Sequence, residues 1–359
     1  MKPALKLANV LGLDPLRNDN YTQLKKMFCA LCIVSLFVSA YLEFFSNFTT
    51  FETYETAPES LIPHFQTMFK MYSLIFSRTE IVELIQMAEQ FYKFSQCDER
   101  KKLTKLYKRV DLFFYVYASL VAAACVLFAI VTLIFKPGKP IFLCYGGLHG
   151  LESPEFEIYL VVDLIGIVII SVTVPAFDGL FFYFALYIYT EFKLLKIAFK
   201  TMSGQELREA VKHHDFLLKY IKKLNSVYSP IFLYQFFCNL LAICFCLFML
   251  SRSGIPPEMV SFSKYFLCLL AFLVQSYTFC SIGDLITELS EDVSNAIFYT
   301  DWLDDEAYEN KTARLIIMSR AQNPVMLTIG KFANMNLRTF ILIVRNAYSF
   351  LAFVNHALN

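Results

Sequence analysis

Seven long apolar runs divide this 359-residue chain and constrain its fold more than any other feature. The hydrocarbon core of a bilayer requires about 20 consecutive apolar residues in a helix. The sequence therefore predicts an all-α, polytopic membrane protein with seven transmembrane helices. The runs cover residues 27–45, 61–76, 112–135, 158–190, 229–250, 262–286 and 332–354.

Two of these runs are unusual. Run 61–76 contains Pro63, His64 and Lys70, and a lysine at the centre of a span costs about 2.5–3.5 kcal/mol on an insertion scale. We expect Lys70 to snorkel or to face a wet interior. Run 158–190 is too long for one crossing, because its helix would measure roughly 50 Å at 1.5 Å per residue. It should continue into the cytoplasm and bend at Pro175.

Acidic residues also occur in the fourth run. Asp163 and Asp178 are functional-site candidates, because acids inside a membrane are rare and costly. The alternative is that Asp163 lies at the outer interface and Asp178 near the inner one.

Lysine and arginine are distributed unevenly among the segments between the runs. Segments 1–26, 77–111, 191–228 and 287–324 hold 24 of them, whereas 49–60, 136–157, 251–261 and the end of the chain hold three. Basic residues concentrate on the cytoplasmic side of membranes. The pattern predicts a cytoplasmic N-terminus and an extracellular C-terminus. Residues 203–228 and 301–322 should form cytoplasmic helices.

Neither catalysis nor a metal, cofactor or nucleic-acid site is expected. The net charge of +1 says nothing about partners by itself, but a nucleic-acid footprint requires a basic patch on a folded soluble face, and the sequence shows no such patch. The pair Cys29 and Cys32 lies in an apolar run without further ligands. The adjacent His213 and His214 cannot share a helix face, and a solvated cytoplasmic helix is the favoured interpretation. No hydrolase, metalloprotease, phosphate-loop or dinucleotide motif is present.

An apolar pocket is expected in the outer half of the bundle, between the second and sixth spans. Such sites are mostly apolar, with a few polar anchors. The candidate lining residues contain few charges, which favours a neutral, volatile ligand. They are Phe65, Met68, Phe69, Tyr72, Tyr159, Val162, Cys246, Met249 and Tyr265.

The last third of the chain carries a specific pattern that closely resembles the insect odorant receptor family. The similarity is sharp over residues 275–353 and only architectural before them. It is carried by Gln275, Tyr277, Cys280, Gly283, Ser290, Ala296, Tyr299, Trp302, the sequence Arg-Ala-Gln-Asn-Pro at 320–324, Gly330, Thr339, Phe340, Tyr348 and Ser349.

The resemblance implies an odorant-gated, non-selective cation channel that is a tetramer. An odorant binds within each subunit, the seventh span lines a central pore, and a tuning subunit assembles with a shared co-receptor. The second cytoplasmic loop is short here, as in tuning subunits. The implied location is the plasma membrane of olfactory sensory dendrites. The implied subunit anchor includes Trp302, Arg320, Gln322 and Pro324.

Alignment at the chain end implies a pore gate at Phe353, His356 and Ala357, which share one helix face. Family gates tend to be aliphatic, so the phenylalanine and the histidine are departures. The segments then divide as a cytoplasmic N-terminal part (1–26), a ligand-binding bundle (27–286), a cytoplasmic anchor (287–331) and a pore-lining helix (332–359).

Three alternatives remain open. A gustatory receptor has the same architecture, but its usual C-terminal signature is absent. A G-protein-coupled receptor requires an outside N-terminus, and the segment 323–327 lacks the tyrosine of its seventh-helix motif. A membrane enzyme or transporter should show clustered intramembrane acids or histidines, or inverted repeats.

Overall fold

The computed structural model describes ten α-helices and one two-stranded sheet. The described residues are 1–47, 51–91, 97–135, 138–146, 152–252, 259–300, 302–303 and 307–358, and their side chains are described except at 51–55, 97–103, 135, 260–261 and 354–358. The helices are α1 (Lys2–Val10), α2 (Asn20–Ser46), α3 (Phe51–Phe76), α4 (Arg78–Glu89), α5 (Cys97–Phe135), α6 (Glu155–Thr201), α7 (Gly204–Arg252), α8 (Met259–Phe298), α9 (Tyr308–Ala321) and α10 (Leu337–Leu358); the strands are β1 (Thr328–Ile329) and β2 (Ala333–Asn334).

Each of the seven apolar runs lies within one helix, apart from the start of the last. Among the described residues, five helices are long and apolar enough to cross a membrane: α2, α5, α6, α7 and α8. Helices α3 and α10 are not among these five, so the seven-span count and the orientation stay predictions.

The predicted start of the seventh run at Phe332 is wrong, because α10 begins at Leu337. Strands β1 and β2 form an antiparallel hairpin immediately before it. Gly330 turns this hairpin with φ of +59°, a conformation that side chains other than glycine rarely adopt. The Asn336 side chain then accepts a hydrogen bond from the backbone of Thr339 at 2.9 Å.

Helices α6 and α7 continue well beyond one bilayer thickness. At 1.5 Å per residue, the 47 residues of α6 and the 49 residues of α7 each extend roughly 70 Å. The predicted helix over residues 203–228 is confirmed as the first half of α7. The second predicted helix, 301–322, is shorter than expected and begins at Tyr308; its acidic start at 304–306 lies outside the described residues.

Helix α6 is the centre of the bundle. It packs against α1, α2, α3, α5, α7 and α8, and its middle turns are buried on every side. A helix that is apolar all round belongs in a core or a membrane. Around its middle turns an aromatic cluster joins three helices through Phe181, Tyr228, Phe232 and Phe279, with ring centroids of neighbouring pairs about 5 Å apart.

The helix α2 begins at a defined cap. The Asp19 carboxylate accepts hydrogen bonds from the Thr22 backbone at 3.3 Å and from the Thr22 hydroxyl at 2.9 Å. These bonds stabilise the charged form and hold the pKa of Asp19 below its ordinary value.

The solvated interpretation of His213 and His214 is wrong. Both side chains are buried, because the first half of α7 packs against α6 instead of standing free. His213 Nε2 lies 2.5 Å from the Glu191 carboxylate of α6, and the ring of Phe91 meets the His213 ring edge-on.

Candidate ligand-binding site

A cavity of about 140 Å³ lies among α3, α5, α6, α7 and α8. A dry protein cavity of roughly 150 Å³ accommodates a benzene molecule, so this one suits a compact, single-ring ligand. Apolar and aromatic side chains dominate its wall. The lining residues are Pro58, Glu59, Ile62, Pro63, Gln66, Tyr117, Val121, Ala124, Cys125, Phe128, Phe142, Ile167, Ile170, Val174, Ala242, Phe245, Cys246, Lys264, Tyr265, Cys268, Ala271, Phe272 and Gln275.

One end of the cavity, here called the rim, is the end of the bundle at which α3 and α8 begin. Lys264 Nζ on α8 lies 2.9 Å from the Glu59 carboxylate on α3, and the neighbouring Tyr265 hydroxyl donates to the same carboxylate. Both charged side chains are nearly buried, at 7% and 8% exposed. The rim therefore carries a nearly buried ion pair beside an apolar cavity.

The opposite end is closed by a buried polar network. Asp178 of α6 accepts hydrogen bonds from Lys70 of α3 at 2.6 Å, from Tyr117 of α5 at 2.5 Å and from Gln275 of α8 at 2.7 Å. Gln66 donates to the Gln275 side-chain oxygen at 3.1 Å. Because these polar atoms bond one another, a ligand in the cavity meets mainly carbon.

This network corrects the expectation about Lys70. Lys70 neither snorkels nor faces water, since it is 1% exposed and its ammonium pairs with Asp178. Asp178 is also fully buried, at the centre of α6, and its depth in the membrane stays a prediction. A charge in an apolar interior requires a partner of opposite sign, and here the partner is on another helix.

Asp163 is buried as well, and its position relative to the membrane interface stays a prediction. Its carboxylate accepts hydrogen bonds from the backbones of Ile141 and Phe142, at 2.8 and 3.2 Å. Phe142 lines the cavity and its ring packs on His64. Asp163 thus holds Ile141 and Phe142, which lie in the described part of the connection between α5 and α6, and Phe142 contributes to the wall of the cavity.

Of the nine predicted ligand-binding residues, Cys246 and Tyr265 line the cavity. The other seven do not: Phe65, Met68, Phe69, Tyr72, Tyr159, Val162 and Met249.

On α3, the prediction and the structure differ in which face of the helix lines the cavity. The lining face carries residues 58, 59, 62, 63 and 66, whereas the predicted residues lie on other faces. Phe69 stacks on Tyr234 of α7 with ring centroids 4.0 Å apart, and Tyr72 is 57% exposed and stacks on Phe76. The prediction favoured aromatic residues and missed the face that carries Glu59 and Gln66. Gln66, a polar residue inside the apolar run 61–76, was the available signal.

Helix α10 exposes apolar side chains around much of its circumference. The side chains of Ile341, Tyr348, Phe350 and Phe353 are exposed, which is consistent with a surface that contacts lipid or another subunit. Phe353, one predicted gate residue, is 69% exposed. The side chains of the other two, His356 and Ala357, lie outside the described residues.

The start of α10 is held against α8. A Cβ atom built on Gly283 of α8 would lie 2.0 Å from the backbone oxygen of Met335, so only glycine allows this approach. The Asp284 carboxylate accepts a hydrogen bond from the Leu337 backbone at 3.0 Å. We call this contact the α8–α10 junction.

The hairpin before α10 is also bonded to α7. The Gly330 backbone donates to the Ser229 backbone oxygen at 2.9 Å, and the Thr328 backbone donates to the Asn225 side chain at 2.8 Å. The predicted anchor residues precede this hairpin: Arg320 and Gln322 are exposed, while Trp302 and Pro324 are half-buried.

The described residues contain no group of three or more histidine, cysteine, aspartate or glutamate side chains arranged to hold a metal ion.

Solved structures of similar fold are insect olfactory receptors. The receptor OR5 from Machilis hrabei in complex with eugenol superimposes with a TM-score of 0.88, covering 99% of this chain and 97% of that one at 14% identity. Another structure of this receptor gives a TM-score of 0.89, with 98% and 96% covered, also at 14% identity. At this identity the likeness establishes the fold.

Relatives found by sequence similarity are also named odorant receptors. Odorant receptor 94a of Drosophila melanogaster is 25% identical over 256 residues, which are 69% of this chain and 66% of that protein. Odorant receptor Or2 of Anopheles gambiae is 29% identical over 154 residues, which are 43% of this chain and 40% of that protein. The chain therefore matches less than two thirds of the length of either relative.

The family model described as 7tm odorant receptor matches residues 50–348, which is well over half of the chain. The matched region contains α3 to α9, the β hairpin and the first part of α10, and so includes the cavity and its two polar ends. With its five membrane-length helices, this chain is a multi-pass membrane protein that belongs to the odorant receptor family.

Proposed function

We propose that this chain is the odorant-tuning subunit of a ligand-gated, non-selective cation channel. The observation that carries the proposal is the apolar cavity enclosed by five helices of an odorant receptor fold. Its wall suits a compact, neutral, volatile molecule, because such ligands gain most from leaving water for an apolar site. Cys246, Tyr265 and the other lining residues are the proposed ligand contacts.

The ligand acts on the pore through α8. This helix lines the cavity near its start and meets α10 at the α8–α10 junction. A ligand that shifts α8 therefore also shifts the start of α10, since the junction leaves no free space at Gly283. Helix α10 lines the pore, with Phe353, His356 and Ala357 at its narrowest part, and a ring of apolar side chains can close a pore by dewetting.

The channel is a heterotetramer with a shared co-receptor, in the plasma membrane of olfactory sensory dendrites. Seven spans place the N-terminus inside and the C-terminus outside, as the distribution of Lys and Arg indicates. Residues 1–26 form a cytoplasmic segment, 27–286 the ligand-binding bundle, 287–331 the subunit anchor and 332–359 the pore helix. Trp302, Arg320, Gln322 and Pro324 contribute to the anchor.

The test compares two tryptophan substitutions on adjacent residues of α5. Ala124 lines the cavity, whereas Ala123 is exposed on the outer surface of the helix. Ala124→Trp should fill the cavity and abolish odorant-evoked current, or raise the half-maximal concentration at least about ten-fold, a change of 1.4 kcal/mol in binding. Ala123→Trp is the matched control.

Whole-cell currents are recorded across an odorant panel, with the chain expressed alone and with the co-receptor. Current that requires the co-receptor supports a tuning subunit, while current from the chain alone would make it a self-sufficient channel. Equal responses of Ala124→Trp, Ala123→Trp and the unchanged receptor would exclude the cavity as the odorant site.

A further inference from the structure

The rim of the cavity holds a cage around one ammonium group. Lys264 Nζ lies 2.9 Å from the Glu59 carboxylate, 4.2 Å from the centre of the Phe128 ring and 4.9 Å from the centre of the Tyr265 ring. The cage is assembled from three helices, since Glu59 is on α3, Phe128 on α5 and Tyr265 on α8. Its surroundings are apolar lining residues of the cavity.

This set of groups is one that recognises organic ammonium ions. A carboxylate provides the opposite charge and accepts the N–H bonds, and the faces of aromatic rings attract a cation within about 6 Å. Tyr265 additionally donates its hydroxyl to the carboxylate, so Glu59 is held by both Tyr265 and Lys264. Lys264 occupies the cage as an alkylammonium ligand attached to the chain.

The ion pair contributes more to selectivity than to stability. A buried ion pair is often no more stabilising than apolar side chains of similar volume, because desolvation of both charges offsets their attraction. Its effect on ligands is larger. A free amine that enters the cavity meets the positive charge of Lys264 and finds the carboxylate of the rim, Glu59, already paired. A neutral molecule has no charge that needs this carboxylate.

We propose that the rim is a primary-ammonium site that is filled from within by Lys264, and that this side chain sets the preference of the cavity for neutral ligands over amines. The inference rests on the proposed function in one respect, namely that odorants occupy this cavity. Removal of the Lys264 side chain should uncover the cage and make it available to small alkylammonium ions.

The test uses the full-length receptor, purified in detergent, and the variant Lys264→Ala. n-Propylamine, which is protonated at neutral pH, supplies the atoms that this substitution removes. It should raise the unfolding temperature of Lys264→Ala and should reach half of its effect at a concentration at least about ten-fold lower than in the unchanged receptor. 1-Propanol, which has the same size without the charge, should not reproduce the shift.

Two further variants distinguish binding of n-propylamine in the cage from a nonspecific effect of the amine on stability. Glu59→Gln combined with Lys264→Ala should remove the response to n-propylamine, because the carboxylate is gone. Lys264→Met keeps most of the apolar stem in place, so it should bind n-propylamine more weakly than Lys264→Ala does. If Lys264→Ala yields folded protein only when n-propylamine is present during extraction, the amine has replaced the missing ammonium and the proposal is supported.

Equal shifts with n-propylamine and 1-propanol would overturn the proposal. So would equal shifts in the unchanged receptor and Lys264→Ala, or yields of Lys264→Ala that remain low with and without the amine. Because the readout is thermal unfolding, it does not depend on channel opening. Failure of the odorant site would appear separately, as unchanged odorant responses of Ala124→Trp.

Discussion

Removing the charge of Lys70 should destabilise the helical bundle by far more than the loss of a solvent-exposed ion pair would. Lys70 and Asp178 are 1% and 0% exposed, and their charged atoms are 2.6 Å apart. Breaking a buried pair by removing one partner costs about 3–5 kcal/mol, because the remaining charge stays buried. In Lys70→Met, Asp178 keeps the donors Tyr117 and Gln275, so we expect the lower value, about 3 kcal/mol.

The double variant Lys70→Met/Asp178→Asn removes both charges and keeps a side chain that Tyr117 and Gln275 can bond. It should be within about 1 kcal/mol of the unchanged receptor, since a buried pair replaced by neutral groups is often neutral in stability. Asp178→Asn alone should be destabilised by about 3–5 kcal/mol, because the Lys70 ammonium then lacks a counter-ion.

The assay is equilibrium unfolding of the purified receptor in mixed micelles of increasing denaturing-detergent content. A loss of 3 kcal/mol corresponds to an unfolded fraction about 150-fold higher. Lys200→Met, which removes an exposed lysine of α6, is the control and should change stability by less than about 0.5 kcal/mol. Single variants that each lose less than about 1 kcal/mol, or a double variant whose loss equals the sum of the two single losses, would refute the reasoning.

Three further outcomes are expected. Gly283→Ala should uncouple ligand binding from current, because its Cβ would lie 2.0 Å from the Met335 oxygen and the α8–α10 junction must open; retained current with retained binding would remove the junction from gating. Phe353→Ala should alter basal current or ion permeability, and no change in either would remove Phe353 from the pore. Tyr72→Ala should leave the rank order of active odorants unchanged, since Tyr72 is outside the cavity; a reordered panel would show that ligands reach the outer face of α3.

The presence of each long helix could be predicted from the sequence, because it depends on residues that are neighbours along the chain. Long runs without charge favour membrane helices whatever they pack against, and α6 and α7 extend past their apolar runs as their length and amphipathic continuation predicted. The start of α10 was mispredicted because Phe332 is apolar and continues the run, while the turn at Gly330 and the cap at Asn336 interrupt it locally.

The cavity could be predicted as a class of site but not residue by residue. Aromatic residues such as Phe65 and Phe69 are equally suited to a pocket wall and to a helix–helix contact. Which of the two they form depends on the rotation of α3 about its axis, and that rotation is set by contacts such as the stacking of Phe69 on Tyr234. Cys246 and Tyr265 do line the cavity, whereas Met249, one turn after Cys246 on α7, does not; that Cys246 and Tyr265 contact a ligand stays a prediction.

By itself, the sequence determined the helical membrane fold, the family and the expectation of an apolar site without catalytic groups. Tertiary structure alone decided the partners of the buried charges. Lys70 and Asp178 are 108 residues apart, and Glu59 and Lys264 are 205 residues apart. Apolar length and charge bias act along the chain and can be read locally, whereas a charge inside a bundle is stabilised by whichever helix faces it, and only the packed structure brings that helix into place.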